Sequence, residues 1–162
     1  MKNFFASVVL LSLLATTCQA ADTHTVKRVY DGDTIVLEND KRVRLIGVDT
    51  PEMRDKDRNL KDAVRHGLNA KTVDEYAVKA KYFVKNAVEG KQVRLEYGNE
   101  RKDKYGRTLA YVYRVPDSYF VNAEVVRQGY GFAYTRFPFK YSERFKEYER
   151  EAREARRGLW AR

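Results

Sequence analysis

Two arginines, a glutamate and a set of aspartates stand at spacings that suit work on a phosphate ester. Residues Arg44 to Glu52 read Arg-Leu-Ile-Gly-Val-Asp-Thr-Pro-Glu, which gathers one guanidinium, the carboxylates of Asp49 and Glu52 and the hydroxyl of Thr50. Two further segments carry the same residue types, Asp31-Gly-Asp-Thr34 and Asp103-Lys-Tyr-Gly-Arg107. Attack of water on a phosphodiester adds charge to oxygens that are already anionic. The chemistry therefore calls for cations aimed at the phosphorus, a base to position and deprotonate the water, and usually a metal ion. An arginine fork bonds two phosphate oxygens and stays charged at any working pH. Carboxylates and carbonyl oxygens suit a hard cation such as calcium. One arginine beside acids would read as a surface ion pair; three segments with the same chemistry argue for more.

The elements that must position these groups follow from the pattern. His24–Tyr30 alternates as a strand, Asp31-Gly32-Asp33 turns the chain, and Thr34–Leu37 is a second strand. Arg42–Val48 returns as a third after a polar connection, and Thr50-Pro51 stops it because proline offers no N–H to a sheet. The polar, doubly charged stretch Met53–Ala70 reads as a long exposed loop, with His66 a solvated residue of no assigned role. Thr72-Val-Asp-Glu75 fits a capping box for a helix whose apolar residues Val73, Tyr76, Ala77, Ala80, Phe83, Val84, Ala87 and Val88 share a face, closed by Gly90. Gln92–Tyr97 and Thr108–Val115 read as fourth and fifth strands, with Gly98–Arg107 connecting them. Helices follow at Val121–Gln128 and Ser142–Arg157. Five short strands with about three helices predict an α+β fold, a partly open barrel of the oligonucleotide-binding (OB) type. Its turns can bring Asp33, the Asp49–Glu52 segment and Arg107 to one face.

The chain of 162 residues carries a formal charge of +9. Its first residues pair Lys2 with the uncharged apolar run Phe4–Ala15, and Cys18-Gln19-Ala20 offers small residues for a peptidase. That predicts a signal peptide, residues 1–20, removed after Ala20. The run is too short for a span of roughly 20 apolar residues, so no stable membrane insertion is expected after cleavage. Cleavage takes away the single cysteine and leaves one domain, 21–162, with charge +8 and no disulfide or thiol chemistry. A basic exported domain of this size suits a polyanion: nucleic acid, an anionic membrane or an acidic polysaccharide.

The three segments quoted above, together with Val121-Asn-Ala-Glu-Val-Val-Arg-Gln-Gly129 and Gly158-Leu-Trp160, resemble the staphylococcal (micrococcal) nuclease, or thermonuclease, family, in order along nearly all of residues 21–162. The resemblance implies an OB-type barrel and a calcium-dependent endonuclease acting on DNA and RNA; the leader predicts a secreted or periplasmic protein, and a monomer is expected. Carried over by position, Glu52 is the general base, and Arg44 and Arg107 clamp the phosphate and stabilise its transition state. Asp33 and Asp49 give carboxylate oxygens to Ca2+, Thr50 its backbone carbonyl, and Asp31 supports the metal site. Lys104, Tyr105 and Tyr134 line the nucleotide site. The chain departs from the family pattern in the long charged Met53–Ala70 stretch and in Tyr130–Tyr134, both flanking the site. Two other classes stay open from the residues alone. One is an OB-type module that holds single strands without cutting. The other is a binder of anionic surfaces, which explains the charge but leaves Arg44, Glu52 and Arg107 without a purpose.

Overall fold

The computed structural model describes residues 22–161; the leader segment lies outside them. Eight strands and four α-helices follow one another as β1 (Thr23–Asp31), β2 (Thr34–Leu37), β3 (Arg42–Leu45), β4 (Val48–Asp49), α1 (Lys56–His66), α2 (Ala70–Val88), β5 (Gln92–Lys102), β6 (Thr108–Arg114), β7 (Tyr119–Phe120), α3 (Val121–Arg127), β8 (Phe132–Ala133) and α4 (Ser142–Glu154). A 3₁₀ turn at Gly158–Trp160 ends the described chain. Five strands close into a ring, each paired with the next in the order β1, β2, β3, β6, β5 and back to β1. All these pairings are antiparallel except β3 with β6, which run parallel. The fold is α+β of the expected OB type, with four helices where the sequence suggests three.

Val26, Ile35, Leu37, Val43, Leu45, Val93, Leu95, Ala110 and Val112 point into the ring, and α2, α3 and α4 add Val84, Val88, Val121, Val125 and Phe145. Each strand gives alternate residues to this core, as the pleat requires. β1 has two irregularities in its pairing with β2, the usual device for bending a strand around a closed sheet. A buried asparagine fastens α3 to the ring. Asn122 accepts the Val112 N–H at 2.8 Å and donates to the carbonyls of Ile46 and Ala110 at 3.0 and 3.1 Å.

Several boundaries differ from the pattern. The third strand stops at Leu45 rather than Val48, because Gly47 takes φ 76° and redirects the chain. The two residues beyond it, β4, then pair with β8 in a separate small sheet. β5 runs on to Lys102, well past the expected end at Tyr97. The helix read from Thr72 starts at Ala70 and is capped by Asn69, whose side chain accepts the Lys71 N–H at 2.9 Å.

The largest correction concerns Met53–Ala70, which is not a loop. Lys56–His66 forms α1, capped at its start by Asp55, which accepts the Arg58 N–H, and at its end by left-handed Gly67. Apolar periodicity misses this helix because the face it buries carries Asn59 and Asp62 beside a single alanine, Ala63. His66 is not a solvated residue either. It is half-buried, with its ring stacked on Phe132 at 4.0 Å and an Arg153 nitrogen 3.1 Å from Nδ1.

Candidate active site

Asp33 is buried at the turn between β1 and β2 and collects donors from both sides. Its Oδ2 accepts the Thr50 N–H at 3.2 Å and pairs with the Arg44 guanidinium, while Oδ1 accepts the Thr34 hydroxyl at 3.0 Å. Gly32 allows this meeting. A Cβ there would lie 2.7 Å from the Ala80 Cβ on α2 and 2.8 Å from Thr50 Cγ2, so no side chain fits between helix and site. Arg44 stands on β3 opposite Thr34 and reaches a second carboxylate, Asp49 Oδ1, at 3.3 Å. Asp49 and Thr50, both buried, are delivered by the Gly47 bend and the β4–β8 pair. Asp33, Arg44, Asp49 and Thr50 thus form one bonded network from three places in the chain.

Glu52 joins that network through a residue absent from the sequence reading. Arg58, near the start of α1, places Nη1 on Glu52 Oε1 and Nη2 on Asp49 Oδ1. The next residue, Asn59, is buried and grips the Glu52 backbone with both ends of its amide. Its Oδ1 accepts the Glu52 N–H and its Nδ2 donates to the Glu52 carbonyl, each at 2.8 Å. The same Nδ2 donates to Asp74 of α2 at 2.8 Å, so two helices hold the segment that carries Glu52. The signal for Asn59 and Arg58 was present in the Asp55 cap and the Gly67 stop, which together mark a helix beginning beside Pro51-Glu52.

Burial sets the protonation of the cluster. It pushes the Asp31 carboxyl up to about 7, and the neighbouring Asp33 charge adds to the effect. Burial also opposes ionisation of Asp33, but the Arg44 charge and hydrogen bond hold that carboxyl below its ordinary range. Asp49 and Glu52 are both raised, chiefly by burial, against the pull of Arg58. Asp31 touches the network by accepting the Asp33 N–H at 3.3 Å.

Arg107 lies in the turn just before β6, the strand that pairs with β3. β3 and β6 lie side by side with Arg44 opposite Leu109, two residues beyond Arg107. Its Nε donates to Asp103 Oδ2 at 2.7 Å, and Asp103 Oδ1 accepts the backbone N–H of both Tyr105 and Arg107. Among the described residues Arg107 makes no bond to Asp33, Asp49 or Glu52. Tyr105 is 72% exposed at the tip of this turn, with the Lys104 ammonium 4.9 Å from its ring. Tyr134 lies apart from them, its N–H donating to Gly47 at 2.9 Å and its ring beside Phe137.

Among the described residues no three His, Cys, Asp or Glu side chains converge as a ready metal site. The oxygens available for one belong to Asp33, Asp49 and the Thr50 carbonyl, an all-oxygen set of the kind a hard cation takes. At present guanidinium groups pair with the two carboxylates.

Residues 42–162 match the family described as Staphylococcal nuclease homologue. A thermonuclease of Staphylococcus intermedius is 39% identical over 145 residues, covering 87% of this chain and 77% of that protein. A thermonuclease of Staphylococcus hyicus is 34% identical over 143 residues, 86% of this chain and 76% of its own length. A protein described as an uncharacterized endonuclease, from Escherichia coli O157:H7, is 31% identical over 165 residues, 99% of this chain and 91% of its own.

Proposed function

Because the chain belongs to the staphylococcal nuclease family and is a nuclease, we propose that it is an exported, calcium-dependent endonuclease that cleaves DNA and RNA at the Arg44–Glu52–Arg107 pocket. The observation that carries this reading is the single network joining Asp33, Arg44, Asp49 and, through Arg58, Glu52, with Arg107 in the turn that leads into the strand beside β3. Glu52 stands on a segment gripped by Asn59, which suits a base that must hold a water in line with the phosphorus. A carboxyl raised by burial is also a stronger proton acceptor than an exposed one. Arg44 would bond the equatorial oxygens from a fixed position, and Arg107 would meet the phosphate from the neighbouring strand. Asp33, Asp49 and the Thr50 carbonyl would hold calcium, with Asp31 behind them; when bound, the ion supplies positive charge to the phosphate oxygens. Lys104 and Tyr105 on the exposed turn, and Tyr134, would contact the nucleotide through charge and ring stacking. The protein would act as a monomeric domain of residues 21–162, delivered outside the cytoplasm by a leader of residues 1–20. Among the described residues no helix is long and apolar enough to cross a membrane.

Digestion of supercoiled plasmid and of RNA, with calcium and with a chelator, tests this reading. Cleavage of both substrates that needs calcium is expected. Intact substrate under both conditions would replace the enzyme by a module that only binds.

A further inference from the structure

Arg58 lies among three carboxylates with its side chain 35% exposed, and the arrangement gives it two places to rest. Its fork spans Glu52 Oε1 and Asp49 Oδ1, while Nε lies 3.9 Å from Asp62 Oδ2. Asp62 stands one turn further along α1, only 4% exposed, and its Oδ2 accepts no hydrogen bond among the described residues. A buried carboxylate oxygen without a donor is costly, and residues four apart on a helix are neighbours within easy reach. The helix itself is fixed by the Asp55 cap and by the grip of Asn59 on Glu52 and Asp74, so only the Arg58 side chain is free to change partner.

We infer that Arg58 competes with the divalent cation for Asp49, and that it makes room by turning from Asp49 onto Asp62. This rests on the calcium reading above. Without metal, the guanidinium compensates Asp49 and Glu52, whose charges would otherwise face each other in a poorly solvated pocket. A cation at Asp49 would lie within a few ångströms of the guanidinium, and the two positive charges repel. Asp62, whose Oδ1 lies 3.6 Å from the Arg65 guanidinium, then offers the displaced Arg58 its other oxygen, Oδ2, which gains the hydrogen bond it lacks. The site therefore tolerates its metal-free state, with the affinity for calcium lowered by the arginine that fills in for it.

Isothermal titration with calcium chloride, on the full chain and its R58Q and D62N variants at one pH and salt concentration, tests this. R58Q should bind calcium more tightly by roughly fivefold or more, the range of an ordinary coupling between two ligands. D62N should bind it more weakly than the parent, because the displaced arginine loses its second partner. Equal or weaker binding by R58Q overturns the competition, and unchanged binding by D62N overturns the turn onto Asp62. If far-UV circular dichroism shows R58Q unfolded, R58K decides. An ammonium cannot span both carboxylates, so tighter calcium binding is expected there too, and parental affinity overturns the inference. A parent that binds no calcium yet cleaves DNA in chelator removes the metal reading and this inference together. A parent that binds calcium as tightly as R58Q removes the inference alone.

Discussion

Arg44 on β3 and Arg107 in the turn that leads into the adjoining β6 are the same residue type, yet one is built into the molecule and the other is only tethered to it. Arg44 has a side chain 14% exposed and pairs with the buried carboxylates of Asp33 and Asp49. Arg107 has a side chain 26% exposed, and among the described residues its ion-pair partner is Asp103, four positions earlier in the same turn. The difference separates two demands on a phosphate clamp. Arg44 is oriented before any ligand arrives and also holds the core of the site together. Arg107 is held by a local turn, and on the proposed reading it would retain freedom to meet the phosphate.

The comparison breaks most visibly on substitution to alanine. R44A should lose about 3–5 kcal/mol of stability, because Asp33 is left as a buried charge without its cationic partner and Asp49 keeps only Arg58. It should also lose roughly 10²-fold or more in turnover. R107A should lose turnover on the same scale while its melting temperature moves by only a few degrees, since its partner Asp103 also bonds two backbone N–H groups. Thermal denaturation beside steady-state kinetics reads both, and equal destabilisation by the two variants would erase the contrast.

A smaller effect is expected from N59A, which tests whether the prebuilt half depends on α1. Loss of the amide leaves the Glu52 backbone groups and Asp74 short of partners, a cost of about 1–3 kcal/mol. Displacement of Glu52 should lower kcat by roughly tenfold to a hundredfold with KM little changed. A parental kcat in N59A would show that the grip on Glu52 is structural only. Smallest of all is D103N, which loosens the tether of Arg107 while leaving an oxygen for the turn. A rise in KM of about threefold, with stability changed by less than about 1 kcal/mol, is expected. An unchanged KM would mean that Asp103 does not orient Arg107 for substrate.

The same contrast explains what the sequence disclosed. β3, which carries Arg44, alternates over a buried face, and Gly32 and Pro51 mark the turns beside Asp33 and Asp49. A closed set of strands could bring those three residues together, and the structure joins them in one network. Helix α1 escaped because its buried face is polar: Asn59 and Asp62 are inside through bonds to distant partners, and no local propensity reports such bonds. Arg58 was hidden with it. His66 looked solvated for a related reason, since Phe132 and Trp160, which enclose its ring, lie far along the chain. The early end of β3 was readable in principle, because glycine between Ile46 and Val48 permits the left-handed turn that a longer strand would not need.

The most direct test of the account is E52Q in the plasmid assay with calcium, run beside a DNA-binding measurement under the same conditions. Glutamine keeps the shape of the side chain but cannot take a proton from water, so DNA should remain bound while cleavage falls by roughly 10²- to 10⁴-fold. An E52Q protein that cuts as fast as its parent would contradict the placement of the catalytic base at Glu52 and, with it, the site described between Arg44 and Arg107.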